Sequence, residues 1–140
     1  MTKFELHPQL VKDCFSVGSF ALSRLLMMND CQYPWFILVP QRAAVREIYE
    51  LVGEDRSQLL QESCILSEVL VQIYQPEKLN IAAIGNRVSQ LHLHHIARYS
   101  NDVAWPSPIW GRVPALPYSD RDAQLRIVEV RQRLGNLLRK

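Results

Sequence analysis

The amino-acid sequence predicts an α+β domain with an antiparallel sheet. Short runs of β-branched and aromatic residues, bounded by turn residues, indicate several strands. Longer stretches carry apolar residues at helical spacing. These helices fall between strands and at the ends, without the strict strand–helix alternation of a parallel sheet, and this order favours the α+β class. A chain of 140 residues is long enough to form one domain around its own core.

The N-terminal region is predicted to hold a short helix and a strand. Residues 8–15 can form the helix, because Pro8 stands in its first turn, where proline is tolerated. Residues 20–28 alternate imperfectly between apolar and polar side chains and predict the strand. Asn29 and Asp30 end this strand, since both residue types favour turns.

A second strand and two helices are predicted next. Residues 33–39 form an aromatic and β-branched run that stops at Pro40, which indicates a strand. Residues 43–52 place apolar side chains at helical intervals, with Gly53 as the stop. Residues 57–74 predict a longer helix with a clearer apolar stripe. The stripe consists of Leu60, Cys64, Ile65, Val69, Leu70 and Ile73.

Two further strands and an irregular segment are predicted in the C-terminal half. Residues 79–84 and 91–99 indicate the strands, with a turn at Gly85 and Asn86 between them. Residues 105–111 contain two prolines, which do not support regular strand pairing.

The chain is predicted to end in a helix over residues 121–138. Ser119 and Asp120 are the N-cap candidates, because their side-chain oxygens can accept a hydrogen bond from the first turn. We expect residues 113–140 to form a C-terminal extension whose helix packs on the domain formed by residues 1–112. The apolar stripe of the helix is predicted to be Leu125, Val128, Leu134, Leu137 and Leu138.

Composition and charge exclude several classes of protein. The chain is 48% hydrophobic with a net charge of only +2, which argues against disorder. Its basic residues are scattered and its pI is about 8.5, so neither nucleic acid nor a membrane surface is expected as a partner. No segment reaches the roughly 18 consecutive apolar residues of a spanning helix. The first residues lack the apolar stretch of a signal peptide, so a cytoplasmic protein is expected.

The cysteines fit the same expectation. Cys14, Cys31 and Cys64 are odd in number, widely spaced and free of any CxxC pair. We therefore expect reduced thiols in a reducing compartment.

Three of the four histidines lie within residues 90–98, a segment predicted to be a strand. Because side chains alternate between the two faces of a strand, every second residue shares a face. One face is predicted to carry Gln90, His92, His94, Ile96 and Arg98. The opposite face is predicted to carry Leu91, Leu93, His95, Ala97 and Tyr99.

The first of these faces suits chemistry at an anionic phosphorus centre. An imidazole is a competent nucleophile near neutral pH and can form covalent intermediates. A second imidazole can donate a hydrogen bond or a proton to the leaving group. Amide and guanidinium donors, here Gln90 and Arg98, can stabilise charge on phosphoryl oxygens.

Two other interpretations of the histidines stay open. The face could be a solvent-facing polar strand, or His92 and His94 could bind zinc. Tetrahedral zinc sites usually need three or four protein ligands, and no second Cys/His cluster is present. His95, on the other face, is expected to be structural, in the core or at a subunit contact, and His7 is expected at the surface.

Residues 85–98, Gly-Asn-Arg-Val-Ser-Gln-Leu-His-Leu-His-His-Ile-Ala-Arg, resemble the signature of histidine-triad (HIT) proteins. That signature is a Gly-polar pair, a short gap and then three histidines separated by hydrophobic residues. When the segment is aligned with this signature, Gln90 stands at the first histidine position, His92 at the middle one and His94 at the third. Residues 105–111 are similar to a tail found in a bacterial branch of the family in which Gln also opens the motif. With the weaker likeness of residues 26–30 and 35–40 to the early strands, the resemblance covers most of residues 3–112.

The resemblance implies a fold, a partner and a reaction. The fold is a five-stranded antiparallel sheet with flanking helices, commonly paired as a homodimer. The substrates are nucleoside 5′-phosphoryl compounds, such as dinucleoside polyphosphates or nucleoside phosphoramidates. The middle histidine attacks the α-phosphorus, and water then releases the nucleoside monophosphate from a nucleotidyl-histidine intermediate. No cofactor is required, although Mg²⁺ could arrive as a complex with the substrate.

The resemblance also assigns roles to individual residues. His92 is the expected nucleophile, and His94 is expected to contact the phosphate and assist the leaving group. Asn86 matches the polar residue of the phosphate loop, and Asn29 and Asp30 stand where the family places ribose contacts. Asn80 is a candidate for a further phosphate contact, or simply a polar residue at a strand start.

Several positions depart from the family pattern. Gln90 can donate a hydrogen bond but cannot carry a proton, so a nucleotide-binding module without turnover is the alternative function. His95 replaces a hydrophobic residue, and Arg87 stands where some members have a small hydroxyl residue. Trp105 and Trp110 either cap the site, hold a dimer contact or pack an irregular tail.

Overall fold

A five-stranded antiparallel sheet with flanking helices forms the framework of the protein, as the sequence predicts. The computed structural model describes residues 3–140, so the first two residues of the predicted 1–112 domain lie outside it. The strands pair in the order β1-β2-β3-β5-β4, and every pair is antiparallel. The elements are α1 (Pro8–Asp13), β1 (Cys14–Ser19), β2 (Ser23–Met28), β3 (Trp35–Pro40), α2 (Gly53–Tyr74), β4 (Lys78–Ala82), β5 (Leu93–Arg98) and α3 (Asp120–Leu134).

The strand that carries the histidines lies inside the sheet rather than at its edge. β5 pairs with β3 on one side and β4 on the other, and all six of its residues are buried. In the β3–β5 register Trp35 is opposite Ile96, and Ile37 is opposite His94. A strand bonded on both sides is held rigidly, which fixes the direction of its side chains.

The two faces of the sheet bury separate apolar clusters. Phe36 and Leu38 belong to a cluster with residues of α2 and α3, among them Leu66 and Val130. The intervening residues of β3 belong to the other cluster, together with Leu10 of α1, Val88 and the tail residues Ala104 and Ile109. The period of two along β3 therefore sends alternate side chains to a helical layer and to a layer of loops and α1.

The prediction for residues 8–28 was wrong about β1. Cys14 and Phe15 begin this strand instead of ending the helix, and the strand predicted over residues 20–28 occupies only the β2 range. Phe15 packs against the core and Val17 is buried within it, an alternation that sequence reasoning overlooked. The β1–β2 register shifts between Ser16 and Gly18, which marks a β-bulge.

The helix predicted over residues 43–52 is also wrong. One turn of 3-10 helix forms at Ile48–Glu50, and Gly53 begins α2 instead of stopping a helix. Only Leu51 of this segment is deeply buried, and the Val45 carbonyl accepts a hydrogen bond from the backbone N–H of Leu91. The segment is therefore held by a backbone hydrogen bond to the stretch that precedes β5 and by the burial of Leu51, not by an apolar helix face.

The predicted stripes of α2 and α3 are shifted. Leu60 and Cys64 are exposed, whereas Glu62 and Ser63 are buried because their side chains hydrogen-bond to groups of the sheet layer. In α3 the Ser119 cap is confirmed, since its hydroxyl accepts from the N–H of Asp122. The buried residues of α2 are Leu59, Glu62, Ser63, Leu66, Val69 and Leu70. Those of α3 and the turn after it are Ala123, Ile127, Val130, Leu134 and Leu138, while Leu125, Val128 and Leu137 are exposed.

None of the helices in residues 3–140 combines the length and the apolar character needed to cross a membrane.

Candidate functional site

A cavity of about 470 Å³ opens beside the start of β5. Its walls come from α1, the end of β2, the first residue of β3, the loop after β4 and the C-terminal tail. The polar and aromatic side chains that line it are Asp13, Trp35, Asn86, Arg87, His92, His94 and Trp110. The volume falls in the range of small-molecule sites, roughly 300–1,000 Å³.

Two of the predicted residues, His92 and His94, share this cavity. Their ring centroids are 4.9 Å apart with an interplanar angle of 69°, and both side chains are buried. His94 belongs to β5, while His92 precedes it, because the strand begins at Leu93 and not at Leu91 as predicted. The two imidazoles lie on one side as the period of two predicts.

Hydrogen bonding fixes the tautomer of His92. Its Nδ1 lies 2.7 Å from the backbone carbonyl oxygen of Gln90. A carbonyl oxygen can only accept, so Nδ1 carries the proton and donates. In the neutral ring the lone pair is then on Nε2, the atom a nucleophilic imidazole must present.

Hydrogen bonding fixes the opposite tautomer of His94. The indole N–H of Trp35 donates to His94 Nδ1 at 2.9 Å. An indole N–H can only donate, so Nδ1 holds the lone pair and Nε2 carries the proton. Burial lowers the pKa of His94 to about 3, with a smaller contribution from the neighbouring His92 and His95. His94 is thus an uncharged hydrogen-bond donor at neutral pH.

A glycine turn supplies the outer wall of the cavity. Gly85 has a φ of 66°, a left-handed conformation that glycine adopts at little cost. Asn86 and Arg87 follow, and both line the cavity with exposed side chains. Asn86 is where the sequence places a phosphate contact. Arg87, which stands where some members of the family have a small hydroxyl residue, brings a guanidinium to the same wall.

The side chain of Gln90 is engaged outside this cavity. Its Oε1 accepts the backbone N–H of His7 at 2.9 Å, and its Nε2 donates to the Glu5 carbonyl at 2.8 Å. The predicted continuous face from residue 90 to residue 98 is interrupted, because the regular strand starts only at Leu93. Gln90 contributes its backbone carbonyl to His92, and a catalytic role for its amide stays a prediction.

The buried Arg98 and the half-buried Asn80 belong to a polar cluster away from the cavity lining. The guanidinium of Arg98 makes two hydrogen bonds to the Asp102 carboxylate, at 2.8 and 3.1 Å. It also donates to Asn80 Oδ1 and to the Ser107 carbonyl. Trp105 packs with its ring centroid 5.7 Å from the guanidinium carbon. This cluster ties the tail to the sheet, and phosphate binding by Arg98 and Asn80 stays a prediction.

Asn29 and Asp30, the predicted ribose contacts, are bonded to the C-terminal segment. Asn29 Oδ1 accepts the N–H of Tyr118 at 2.9 Å. Asp30 Oδ1 accepts the N–H of Gln32 at 3.1 Å and that of Leu116 at 3.4 Å. Neither side chain lines the cavity, so their role toward a ligand also stays a prediction.

The two tail tryptophans have different surroundings. Trp110 lines the cavity with its ring centroid 5.1 Å from that of His94 and 6.0 Å from that of Trp35. Trp105 packs on Arg98, as an irregular tail would. Trp35 itself, at the start of β3, was missed by sequence reasoning. Its only signal was a place in an aromatic run, and the pairing of β3 with β5 cannot be deduced from that run.

The remaining histidines are structural. His95 is fully buried, its Nδ1 donates to the Leu93 carbonyl and its Nε2 lies 2.7 Å from Ser63 Oγ. Burial lowers the pKa of His95 to about 4. His7 caps α1 by accepting the N–H of Gln9. Within residues 3–140 no group of three or more His, Cys, Asp or Glu side chains is arranged to hold a metal ion.

The chain is similar to known proteins both in sequence and in structure. A family model described as HIT domain matches residues 9–101. The chain is similar to the crystal structure of a histidine triad protein from Bradyrhizobium japonicum, with 39% identity, a TM-score of 0.94 and coverage of 96% of this chain and 100% of that one. A histidine triad protein from Sinorhizobium meliloti is 38% identical, with a TM-score of 0.92 and coverage of 96% of this chain and 99% of that one. A histidine triad protein from Marinobacter aquaeolei is 44% identical, with a TM-score of 0.88 and coverage of 98% of this chain and 97% of that one. No curated protein sequence matches significantly.

Proposed function

This chain belongs to the HIT domain family, and from that premise we propose that it is a nucleotide hydrolase or transferase acting at the α-phosphorus of nucleoside 5′-phosphoryl compounds. Dinucleoside polyphosphates and nucleoside phosphoramidates are the proposed substrates. The observation that carries the proposal is the imidazole of His92, which is held by its Nδ1–H on the Gln90 carbonyl and keeps Nε2 free at the cavity.

The cavity supports binding of a phosphoryl group. The Nε2–H of His94 is a neutral donor, and Arg87 adds a positive charge on the same wall. Asn86 adds an amide donor beside the Gly85 turn. Fixed donors of this kind stabilise charge on phosphoryl oxygens most effectively where water is partly excluded.

The proposed first step is attack by His92 on the α-phosphorus. The Nε2–P bond forms as the bond from phosphorus to the leaving group breaks, and the leaving group takes the electron pair. The ring becomes positively charged, and its Nδ1–H stays on the Gln90 carbonyl, which stabilises that charge. The product of this step is a nucleotidyl-histidine.

The proposed second step releases the nucleotide. A water oxygen attacks phosphorus, the Nε2–P bond breaks, and the pair returns to Nε2 of His92. The nucleoside monophosphate leaves, and the proton from water passes to solvent. Another acceptor in the place of water makes the protein a transferase. Both steps use protein groups alone, and Mg²⁺ would enter only with a polyphosphate substrate.

A second candidate function is nucleotide binding without turnover. The observation that favours it is the first motif position: Gln90 has no titratable group, and its amide is bonded to the N-terminal segment instead of facing the cavity. In this case His92 and His94 would hold a phosphate but transfer nothing.

We also propose that the protein acts as a homodimer. Apolar side chains on α2 and β4 are exposed in the single chain, namely Leu60 at 66%, Val71 at 46% and Ile81 at 48%. Burying them against a second copy would remove apolar surface from water. Sedimentation velocity would measure the mass directly, and a monomer at micromolar concentration would contradict the proposal.

The experiment that tests the enzymatic function measures AMP release from a diadenosine polyphosphate and from adenosine phosphoramidate. We expect release by the wild-type protein and a loss of at least about 10³-fold in His92→Ala. Free imidazole should restore part of the activity to His92→Gly, because it can occupy the space of the missing ring. Tight AMP binding by a wild-type protein that releases nothing would favour the binding module. Equal release by wild type and His92→Ala would contradict the nucleophile.

A further inference from the structure

We infer that Trp35 is a positioning residue that holds His94 as an uncharged hydrogen-bond donor, so that the site cleaves bonds whose leaving group departs as a stable anion. The inference rests on the proposed function and narrows its substrates to nucleotidyl anhydrides such as dinucleoside polyphosphates. Phosphoramidates, whose amine needs a proton in order to leave, are then poor substrates.

The position of the Trp35 indole is fixed by packing. The side chain is buried at 8% exposure and begins β3, directly beside β5. Its ring meets Tyr33 edge-on at 6.4 Å and Trp110 edge-on at 6.0 Å between centroids. The indole cannot swing away without disturbing both neighbours, so its N–H stays on His94 Nδ1 at 2.9 Å.

This hydrogen bond decides what His94 can do. To act as a proton donor at neutral pH, the ring would first have to be protonated at Nδ1, where the indole N–H already occupies the lone pair. Burial opposes the same protonation and lowers the pKa of His94 to about 3. His94 can therefore donate a hydrogen bond from Nε2, but as a neutral imidazole it is too weak an acid to transfer that proton to a leaving group.

The other groups at the cavity supply no proton either. Among the described residues that line it, the remaining titratable side chains are Asp13, Arg87 and His92. The Asp13 carboxylate accepts a hydrogen bond from Gln9 Nε2 at 2.8 Å, and a guanidinium does not deprotonate in proteins. His92 is the proposed nucleophile, and its own proton is held by the Gln90 carbonyl.

The leaving group must then depart with its electron pair and no proton. In a polyphosphate the bridging oxygen becomes the terminal oxygen of a phosphate anion, which the Nε2–H of His94 and the Arg87 cation can stabilise. In a phosphoramidate the bridging nitrogen becomes an amide anion unless a proton arrives during bond cleavage. General acids typically contribute 10²–10⁴ in rate, so their absence should cost roughly that factor on the amine.

Nuclear magnetic resonance of ¹⁵N-histidine-labelled protein tests the tautomer without any substrate. We expect wild-type His94 to carry its proton on Nε2 alone between about pH 5 and 8. Trp35→Phe, which keeps an aromatic ring but loses the N–H, should show mixed tautomers or protonation within this range. Trp110→Phe is the matched control, since it removes an indole beside the same imidazole but no hydrogen bond to it. Wild-type protein with a proton on His94 Nδ1 would overturn the inference.

Turnover tests the choice of leaving group. We expect kcat/KM for a diadenosine polyphosphate to exceed that for adenosine phosphoramidate by about 10² or more in the wild type. In Trp35→Phe the ratio of the two kcat/KM values should fall roughly tenfold, which is the effect expected from the loss of one hydrogen bond. Comparable wild-type values for the two substrates would overturn the leaving-group inference. No turnover of either substrate, with the expected tautomer, would overturn the proposed function and the substrate class but support the role of Trp35.

Discussion

The backbone N–H of His7 donates a hydrogen bond to the side-chain oxygen of Gln90 at 2.9 Å, across 83 residues of sequence. The same amide donates back to the Glu5 carbonyl at 2.8 Å, so both of its ends are bonded to one segment. His7 is also the N-cap of α1, and Leu10 and Asp13 of that helix line the cavity. Gln90 thus helps to fix the start of α1, the helix that forms one wall of the cavity.

Replacing Gln90 with alanine should loosen this wall. The N–H of His7 and the carbonyl of Glu5 would lose their partners, and we expect the free energy of unfolding to fall by about 1 kcal/mol. Hydrogen exchange at the His7 amide should accelerate, and AMP affinity should fall. The exposed Lys12→Ala on the same helix is the control. An unchanged exchange rate at His7 would contradict the bond.

The histidines in and behind the site should make stability depend on pH. Burial lowers the pKa of His94 to about 3 and of His95 to about 4, from an ordinary value of 6.5. Below pH 6.5 the unfolded chain takes up these two protons and the folded chain does not. The free energy of unfolding should therefore be highest above pH 6.5 and decrease below it, by up to about 1.4 kcal/mol per pH unit for each histidine.

Urea denaturation at several pH values between neutral and mildly acidic would measure this dependence. In His95→Gln one of the two contributions is gone, so the slope below pH 6.5 should fall by about half. A slope that is the same in this variant and in the wild type would show that His95 takes up no extra proton on unfolding.

Gly18→Ala should destabilise the protein. An added Cβ would lie 2.5 Å from the Arg139 carbonyl oxygen and 2.8 Å from the Leu138 side chain, so the C-terminal segment would have to move. Overpacking of this kind costs about 1–3 kcal/mol. Gly53→Ala is the matched control, because nothing lies within 4 Å of its added Cβ and the site is helical. Equal midpoints for the two variants in thermal unfolding would refute the crowding at Gly18.

The buried ion pair of Arg98 and Asp102 should be costly to break on one side. Asp102→Ala would leave a guanidinium of 2% exposure without its carboxylate, at a cost of about 3–5 kcal/mol. The double change Arg98→Met with Asp102→Leu should recover much of that loss. The surface pair of Arg42 and Asp55 offers a comparison, and Arg42→Ala should cost at most about 1 kcal/mol.

The same double variant decides what Arg98 does for a ligand. If Arg98 serves only to anchor the tail, the folded double variant should bind AMP with wild-type affinity, as measured by calorimetry. A large loss of affinity in a protein that still folds would instead support the phosphate contact that the sequence predicts for Arg98.

Local periodicity made part of the site predictable. The alternation of residues 92–98 correctly separated His92 and His94 from His95, because the pleat of a strand depends only on neighbouring residues. The bond from Trp35 to His94 spans 59 residues and depends on which strands pair. No local pattern contains that information, so the tautomer of His94 emerged only from the structure.

The same distinction explains the shifted stripe of α2. Glu62 looks like a surface residue in sequence, yet its carboxylate accepts the backbone N–H groups of Leu22 and Ser23 at 2.8 and 3.0 Å. Ser63 is buried by its contact with His95. Polar residues can be buried when groups distant in sequence form hydrogen bonds with them. A prediction that counts only apolar residues places such side chains in solvent.

The end of the chain gives the sheet two unequal borders. Ser19, the last residue of β1, exchanges two backbone hydrogen bonds with Arg139, so the chain's own terminus occupies this end of the β1 border. On the opposite border β4 has no such neighbour among the described residues. The backbone groups along the outer side of β4 are therefore open to pairing with a further strand. If two copies paired there about a two-fold axis, each β4 edge would bond to the other. The assembly would then be a closed dimer and would not grow into a fibre.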